Sequence, residues 1–114
     1  MLFRHMKTWN KKLHEKMYEL IKEKKKTVEG RVNDDKTAVI PIKDIIIWNE
    51  TLKAEVVDIK KYQTFKEMLE KEGVENVLPG LKTIDEGVEV YYMIPGYKEK
   101  EKNGVLAFHL TVIE

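Results

Sequence analysis

Hydrophobic residues near the start of the chain recur with the spacing of one helix face. They follow one another at intervals of three, four, four and three positions: Met6, Trp9, Leu13, Met17 and Leu20. This spacing matches the period of about 3.6 residues in an α-helix. We therefore predict a helix over residues 8–24, with these side chains, Trp9 included, packed in the core.

After residue 26 the pattern changes to short runs of β-branched and apolar residues separated by turn residues, which is typical of strands. The predicted strands cover residues 27–32, 37–42, 44–48, 53–62 and 104–113. Asn49-Glu50 is predicted to join the third and fourth of these strands as a hairpin. Because side chains alternate along a strand, the last strand is predicted to carry one apolar face. That face consists of Leu106, Phe108, Leu110 and Val112.

Two S/T-x-x-E patterns predict further helices, because the hydroxyl and the carboxylate of such a pair cap the first backbone N–H groups. The first pattern joins Thr64 to Glu67, and Gly73 ends the helix that it opens. The second joins Thr83 to Glu86 and opens a helix whose inner face carries Ile84, Val88 and Tyr91. Residues 76–80 and 98–102 are predicted to be connections. Strands and helices that do not alternate predict one α+β domain over residues 1–114, with a mostly antiparallel β-barrel and flanking helices.

Composition limits the chemistry that the chain can perform. The absence of cysteine excludes disulfides, a thiolate nucleophile and cysteine zinc sites. No two of the histidines are three or four positions apart, so we expect no metal and no cofactor; they are His5, His14 and His109. No apolar run approaches the roughly 20 residues of a membrane span, and no signal-peptide pattern is present. The protein is expected to be a cytoplasmic monomer that does not bind membranes.

Charged residues make up 36% of the chain, against about 25% in an average protein. Lysine and glutamate dominate them, a bias reported for hyperthermophile proteins, so we expect a thermophilic, archaeal source; an ordinary Lys/Glu-rich protein remains the alternative. The charges are unevenly spread. Residues 1–31 contain 10 Lys/Arg and 4 Asp/Glu, whereas residues 32–114 contain 11 Lys/Arg and 16 Asp/Glu. A basic segment of this kind indicates either a phosphate-binding face or a solvated helix.

The most unusual segment is residues 24–31. If residues 27–32 form a strand, Thr27, Glu29 and Arg31 project from one face. Glu29 could then orient Arg31 and hold Lys26 nearby, which would leave cationic donors for a phosphate or a base edge. The same residues also fit an ordinary surface ion pair, which contributes little to stability.

The order of the elements and this segment together resemble the ASCH domain of the PUA-like superfamily. The ASCH signature is G-x-K-x-x-E-x-R. Its lysine, glutamate and arginine positions are occupied here by Lys26, Glu29 and Arg31. Lys24 replaces its glycine, a departure that affects the tight turn before the strand, because glycine adopts positive φ readily and lysine does not. Residues 62–69, 78–80 and 104–107 are similar to segments of short archaeal members.

The resemblance implies a closed barrel whose cleft is lined by Lys26, Glu29 and Arg31 and takes RNA or a nucleotide-like ligand. A net charge of +1 favours a small local site over a long basic groove. Tyrosines are further candidates because their rings can stack on bases or pack in the core. Ligand-binding candidates beyond the signature are Thr27, Tyr62 and Tyr91, with Tyr92 and Tyr97 as weaker ones.

Resemblance to the family also leaves enzymatic alternatives open. Some members are amidohydrolases of acetylated cytidine, and others have been described as ribonucleases. The amidohydrolases carry a nucleophilic threonine two residues before the signature arginine, where this chain has Glu29. A binding module is therefore favoured. If the protein is an enzyme, Lys26 is the candidate base and Glu29 polarises a water or a carbonyl. A partner-binding protein without ligand chemistry is the third hypothesis.

Overall fold

A computed structural model describes residues 7–113, so the expectation for Met6 lies outside the described residues. The elements in chain order are β1 (Thr8–Lys11), α1 (Glu15–Lys22), β2 (Val28–Val32), β3 (Ile45–Trp48), β4 (Leu52–Tyr62), α2 (Phe65–Glu72), α3 (Val74–Val77), α4 (Ile84–Tyr92), α5 (Tyr97–Lys100), a 3-10 turn (Glu101–Asn103) and β5 (Val105–Val112). Among these residues, no helix is long and apolar enough to cross a membrane.

The strands form one curled sheet in the order β1-β3-β4-β5-β2. β1 runs parallel to β3, and every other neighbouring pair is antiparallel. The α+β class is thereby confirmed. The described strands form a half-barrel in which β1 and β2 are the two edges.

The predicted helix over residues 8–24 is wrong in its first half. Residues Thr8–Lys11 form β1, and the helix begins only at Glu15, with His14 as its N-cap. Backbone pairing with β3 decides the conformation of this segment. The Trp9 indole also donates a hydrogen bond of 2.8 Å to Asp44. Trp9 is consequently only half-buried, at the rim of the core rather than inside it.

The predicted strand over residues 37–42 is also wrong, because the Asp34 side chain starts a helical turn instead. Its carboxylate accepts the Thr37 N–H at 2.8 Å, and its carbonyl accepts the Ala38 N–H at 2.8 Å. Local hydrogen bonds of this kind compete effectively with strand pairing. The turn buries Ile40 within the half-barrel core.

Both predicted helix starts are confirmed, but only the second is a complete capping box. Thr64 accepts the Glu67 N–H at the start of α2, and Thr83 and Glu86 bond reciprocally at the start of α4. Gly73 ends α2 as predicted, with φ of 93°. The predicted connections over residues 76–80 and 98–102 overlap two short helical turns, Val74–Val77 and Tyr97–Lys100.

The sheet is buried on both faces, so the chain has two apolar clusters. One lies between the sheet and the helices α2 and α4, and it includes Val28, Phe65 and Tyr91. The other fills the half-barrel and includes Trp48 and Phe108. β5 contributes to both clusters, and its predicted apolar face is the one that lines the half-barrel: Leu106, Phe108, Leu110 and Val112.

Candidate functional site

The end of α1 brings the signature segment to the edge of the sheet. Lys25 N–H bonds the Leu20 carbonyl, and Lys24 N–H bonds the Ile21 carbonyl, each at 2.9 Å. This pair of bonds is the Schellman motif that ends many helices, and it requires a left-handed residue just after the C-cap. Lys24 occupies that position with φ of 65°. The tight turn of the signature is therefore retained although lysine replaces glycine.

Lys26 follows this turn, and its side chain is completely buried. The ammonium donates to the carbonyls of Val28, at 2.8 Å, and Val77. It also lies 3.1 Å from Glu29 Oε1. Burial lowers the pKa of Lys26, and the Glu29 carboxylate opposes that shift. Lys26 thus joins β2 to α3 and does not face solvent.

Glu29 links the two signature cations. Its Oε1 faces Lys26, and its Oε2 accepts a hydrogen bond of 2.8 Å from Arg31 Nε. Its side chain is 8% exposed. Each oxygen of this buried carboxylate thus faces one cation. The carboxylate offsets part of the charge of Lys26 and Arg31, and its hydrogen bond fixes the orientation of the guanidinium group.

Arg31 is the outermost of the three signature residues, with 21% of its side chain exposed. Its Nη2 donates to the Lys12 carbonyl at 2.9 Å, and its Cζ lies 5.3 Å from the centre of the Trp48 ring. Burial disfavours the charge of Arg31, but Glu29 and Tyr97 together outweigh this, and the pKa of Arg31 is raised. The arginine crosses from edge strand β2 to the segment that follows edge strand β1. Sequence analysis predicted that Lys26, Glu29 and Arg31 line one partly exposed cleft. The structure brings them together in one chain of contacts, but Lys26 is fully buried and does not line a cleft.

Tyr91 supports this chain of contacts from the helix side. It is buried, and its ring stacks on Phe65 with a centroid distance of 4.3 Å. A Cβ atom at Gly30 would lie 2.7 Å from the Tyr91 hydroxyl, so the glycine between Glu29 and Arg31 makes room for it. Burial raises the pKa of Tyr91 well above its usual value. Its ring is packed in the core and is not available for stacking on a base in this conformation.

Of the remaining sequence candidates, Tyr97 lies near Arg31, and each of these two residues affects the pKa of the other. Tyr62 and Thr27 make their contacts elsewhere. Tyr62 donates a hydrogen bond of 2.6 Å to Glu72, whose other oxygen lies 2.9 Å from His109 Nε2. Burial raises the pKa of Tyr62, and the hydrogen bond to Glu72 raises it further, to about 12. The side chain of Thr27 is exposed, and its backbone bonds Asn76 and Leu110.

Space beside Arg31 is limited to a cavity of about 10 Å³, which Lys11, Trp48 and Ile40 also line. Such a volume holds one water at most. The indole N–H of Trp48 is buried and has no hydrogen-bond partner among residues 7–113. A second, open groove of about 420 Å³ is lined by Asn10, Lys11, Lys12, Asn49 and Glu50.

Sequence analysis did not single out Lys11 and Lys12 as site residues. Lys11 lines both the cavity and the groove. Burial lowers its pKa, and the nearby charge of Arg31 lowers it further. The uneven distribution of charge along the chain was the available signal, because both lysines belong to the basic segment of residues 1–31.

Comparisons with known proteins found one matching family and similar solved structures. The ASCH domain profile matches residues 12–114. The crystal structure of hypothetical protein PH0355 is 47% identical, with a TM-score of 0.88 over 94% of this chain and 100% of that chain. The solution structure of protein PF0455 from Pyrococcus furiosus is 43% identical, with a TM-score of 0.81 over 95% and 99% of the two chains. Both structural neighbours are archaeal, from Pyrococcus. No curated protein matches the chain.

Proposed function

The chain belongs to the ASCH domain family, and on that premise we propose that it binds a nucleotide or a short single-stranded RNA segment through a phosphate at Arg31. Lys26 and Glu29 hold the arginine in place from behind. Lys11 lies on the other side of the ligand phosphate.

The observation that carries this proposal is the gathering of like charges at the mouth of the half-barrel. Lys11 and Arg31 line the same cavity. Burial lowers the pKa of Lys11 and Arg31 lowers it further, so the two cations repel each other in the free protein. A phosphate between them would relieve that repulsion, and Arg31 suits phosphate because its planar fork can donate two parallel hydrogen bonds. Glu29 and Lys12 take two of its five N–H donors among the described residues. The other donors remain for a ligand.

Closure of the barrel is part of the proposal. The PUA-like fold implies a complete barrel, and the hydrogen bond from Arg31 to the Lys12 carbonyl supports it, because this bond spans the two edges of the half-barrel. A ligand on Arg31 would therefore lie over the seam between the edges. The ligand roles of Tyr62 and Thr27 stay predictions, since neither contacts this seam.

The test is binding of fluorescein-labelled single-stranded hexauridylate, followed by anisotropy at several salt concentrations. We expect Arg31→Ala to weaken binding and to reduce the slope of log affinity against log salt by about 0.7, the value for one phosphate contact on a single strand. Lys66→Ala is the matched control, because it removes one positive charge from the exposed face of α2.

Two results would contradict the proposal. One is an Arg31→Ala variant that binds with wild-type affinity and salt slope. The other is hydrolysis of acetylated cytidine by the wild-type protein that is lost in both Lys26→Ala and Glu29→Ala, with each variant shown to be folded by circular dichroism. That outcome would make the protein an amidohydrolase in which a carboxylate replaces the threonine nucleophile.

A further inference from the structure

The edge groove, formed by Asn10, Lys11, Lys12, Asn49 and Glu50, is not part of the signature site. We propose that it is a second ligand subsite, which holds the ribose-phosphate unit next to the one at Arg31. The inference rests on the proposed function and specifies its ligand as an RNA strand of two or more nucleotides. A free mononucleotide would occupy the Arg31 site alone.

Size is the first argument. The cavity of about 10 Å³ beside Arg31 cannot admit a sugar or a base. A ligand held by Arg31 must therefore extend outside the half-barrel. The edge groove, with about 420 Å³, lies within the range of roughly 300–1,000 Å³ that small-molecule sites occupy.

Continuity with the Arg31 site is the second argument. Lys11 lines both the cavity and the edge groove. The carbonyl of Lys12 accepts the Arg31 hydrogen bond, while the residue itself lines the groove. The two spaces thus share the Lys11–Lys12 segment, which is the reason to assign consecutive units of one ligand to them.

The chemistry of the lining is the third argument. None of the described residues that line the groove is aromatic, so they offer no platform for stacking a base. Two ammonium groups and the Asn10 amide donate hydrogen bonds, as phosphate oxygens require. The Glu50 carboxylate can only accept, which suits a ribose hydroxyl and disfavours a phosphate. Since the 2′-hydroxyl distinguishes RNA from DNA, Glu50 gives the groove a preference for RNA.

The groove wall is held rigidly. Asn49 accepts the Leu13 N–H at 2.8 Å and donates to the Leu13 carbonyl at 3.0 Å, which clamps the β3–β4 turn to the segment after β1. Glu50 follows in the left-handed region, with φ of 69°. Asn49 is left-handed too, with φ of 50°, and two such residues in succession form the turn that joins hairpin strands. The turn thus sets the backbone of the groove wall, which the exposed Glu50 lines.

The experiment compares hexauridylate with uridine monophosphate as probes. Lys12→Ala keeps the backbone carbonyl that Arg31 needs and removes only the Lys12 ammonium from the groove. We expect this variant to bind hexauridylate more weakly than the wild type and its salt slope to be lower by about 0.7. A fourfold rise in salt should therefore reduce the affinity of the variant roughly 2.6-fold less than that of the wild type. The affinity of Lys12→Ala for uridine monophosphate should equal that of the wild type, whereas Arg31→Ala should weaken the binding of both probes. Lys66→Ala again serves as the control.

The outcomes separate the two proposals. If Lys12→Ala binds hexauridylate like the wild type while Arg31→Ala binds it more weakly, the groove is not a ligand subsite and the proposed function stands. Weakened binding in Lys12→Ala alone would remove Arg31 from the proposed function. Loss of uridine monophosphate binding in Lys12→Ala would show a general phosphate site instead of a second subsite. For Glu50, we expect wild-type protein to prefer hexauridylate over its deoxy counterpart and Glu50→Ala to lose that preference; an unchanged preference would refute its role.

Discussion

At the scale of single residues, the buried pair of Lys26 and Glu29 is the least ordinary feature of the protein. An ammonium with no exposed surface is stable only where its charge and its N–H groups are satisfied, and here two carbonyls and a carboxylate do so. Glu29 in turn depends on both Lys26 and Arg31. The expectation of a surface ion pair is therefore the weaker of the two interpretations that the sequence allowed.

Removal of one member of this pair should be strongly destabilising. We expect Glu29→Gln to lower the free energy of unfolding by about 3–5 kcal/mol, because it leaves the buried charge of Lys26 uncompensated. Lys26→Met should lower it by less, because Glu29 keeps its ion pair with Arg31. The double variant should lose less than the sum of the single losses, by a coupling energy of about 0.5–3 kcal/mol. Chemical denaturation of the four proteins measures these values, and single losses that simply add would show that the two charges do not interact.

At the scale of elements, the end of α1 explains why the family signature begins with glycine. The Schellman motif places the residue after the C-cap in the left-handed region, and Lys24 adopts that conformation with φ of 65°. A side chain in this region costs roughly 1–2 kcal/mol relative to glycine. The hydrogen bonds of Lys24 and Lys25 to α1 enforce the turn nonetheless.

Restoration of the family glycine should stabilise the chain. We expect Lys24→Gly to raise the free energy of unfolding by about 0.5–1 kcal/mol, since the relief of strain exceeds the entropy that a glycine adds to the unfolded state. The measurement is the denaturation midpoint at an unchanged m-value. Lys25→Gly is the matched control, because Lys25 is not among the residues with positive φ, and it should be destabilising. A stabilisation of equal size in both variants would rule out the strain explanation.

At the scale of the whole molecule, Arg31 joins the two edges of the half-barrel. Its hydrogen bond to the Lys12 carbonyl and its position over Trp48 connect β2 to β1 and β3, which are distant in the order of the sheet. The same side chain is the proposed phosphate ligand. Ligand binding and the closure of the seam therefore depend on one guanidinium group.

Loss of this connection should loosen one edge selectively. We expect Arg31→Ala to accelerate amide hydrogen exchange in β1 and in the segment before α1, because the edge strand loses its link to β2. Exchange in the central strands β4 and β5 should remain that of the wild type. Hydrogen exchange followed by mass spectrometry makes the comparison. Equal acceleration throughout the sheet would indicate global destabilisation and contradict a local role for the bridge.

The sequence by itself determined the elements whose signals are local. Capping residues at Thr64 and Thr83 and the alternation along β5 act within a few residues, so they predicted α2, α4 and the last strand correctly. The signature predicted that Lys26, Glu29 and Arg31 lie together, because neighbours on one short segment cannot separate far.

Only the tertiary structure decided the rest, because the deciding interactions join residues far apart in the chain. Trp9 has helical spacing, yet β1 pairs with β3 and the indole bonds Asp44, 35 positions away. Lys26 lies in a basic run that suggests an exposed side chain, yet the carbonyl of Val77, 51 positions away, helps to enclose it. Lys12 became a neighbour of Arg31 only when the sheet curled and brought its two edges together. Periodicity records which face of an element is apolar, but the partner that covers the face is a property of the folded chain.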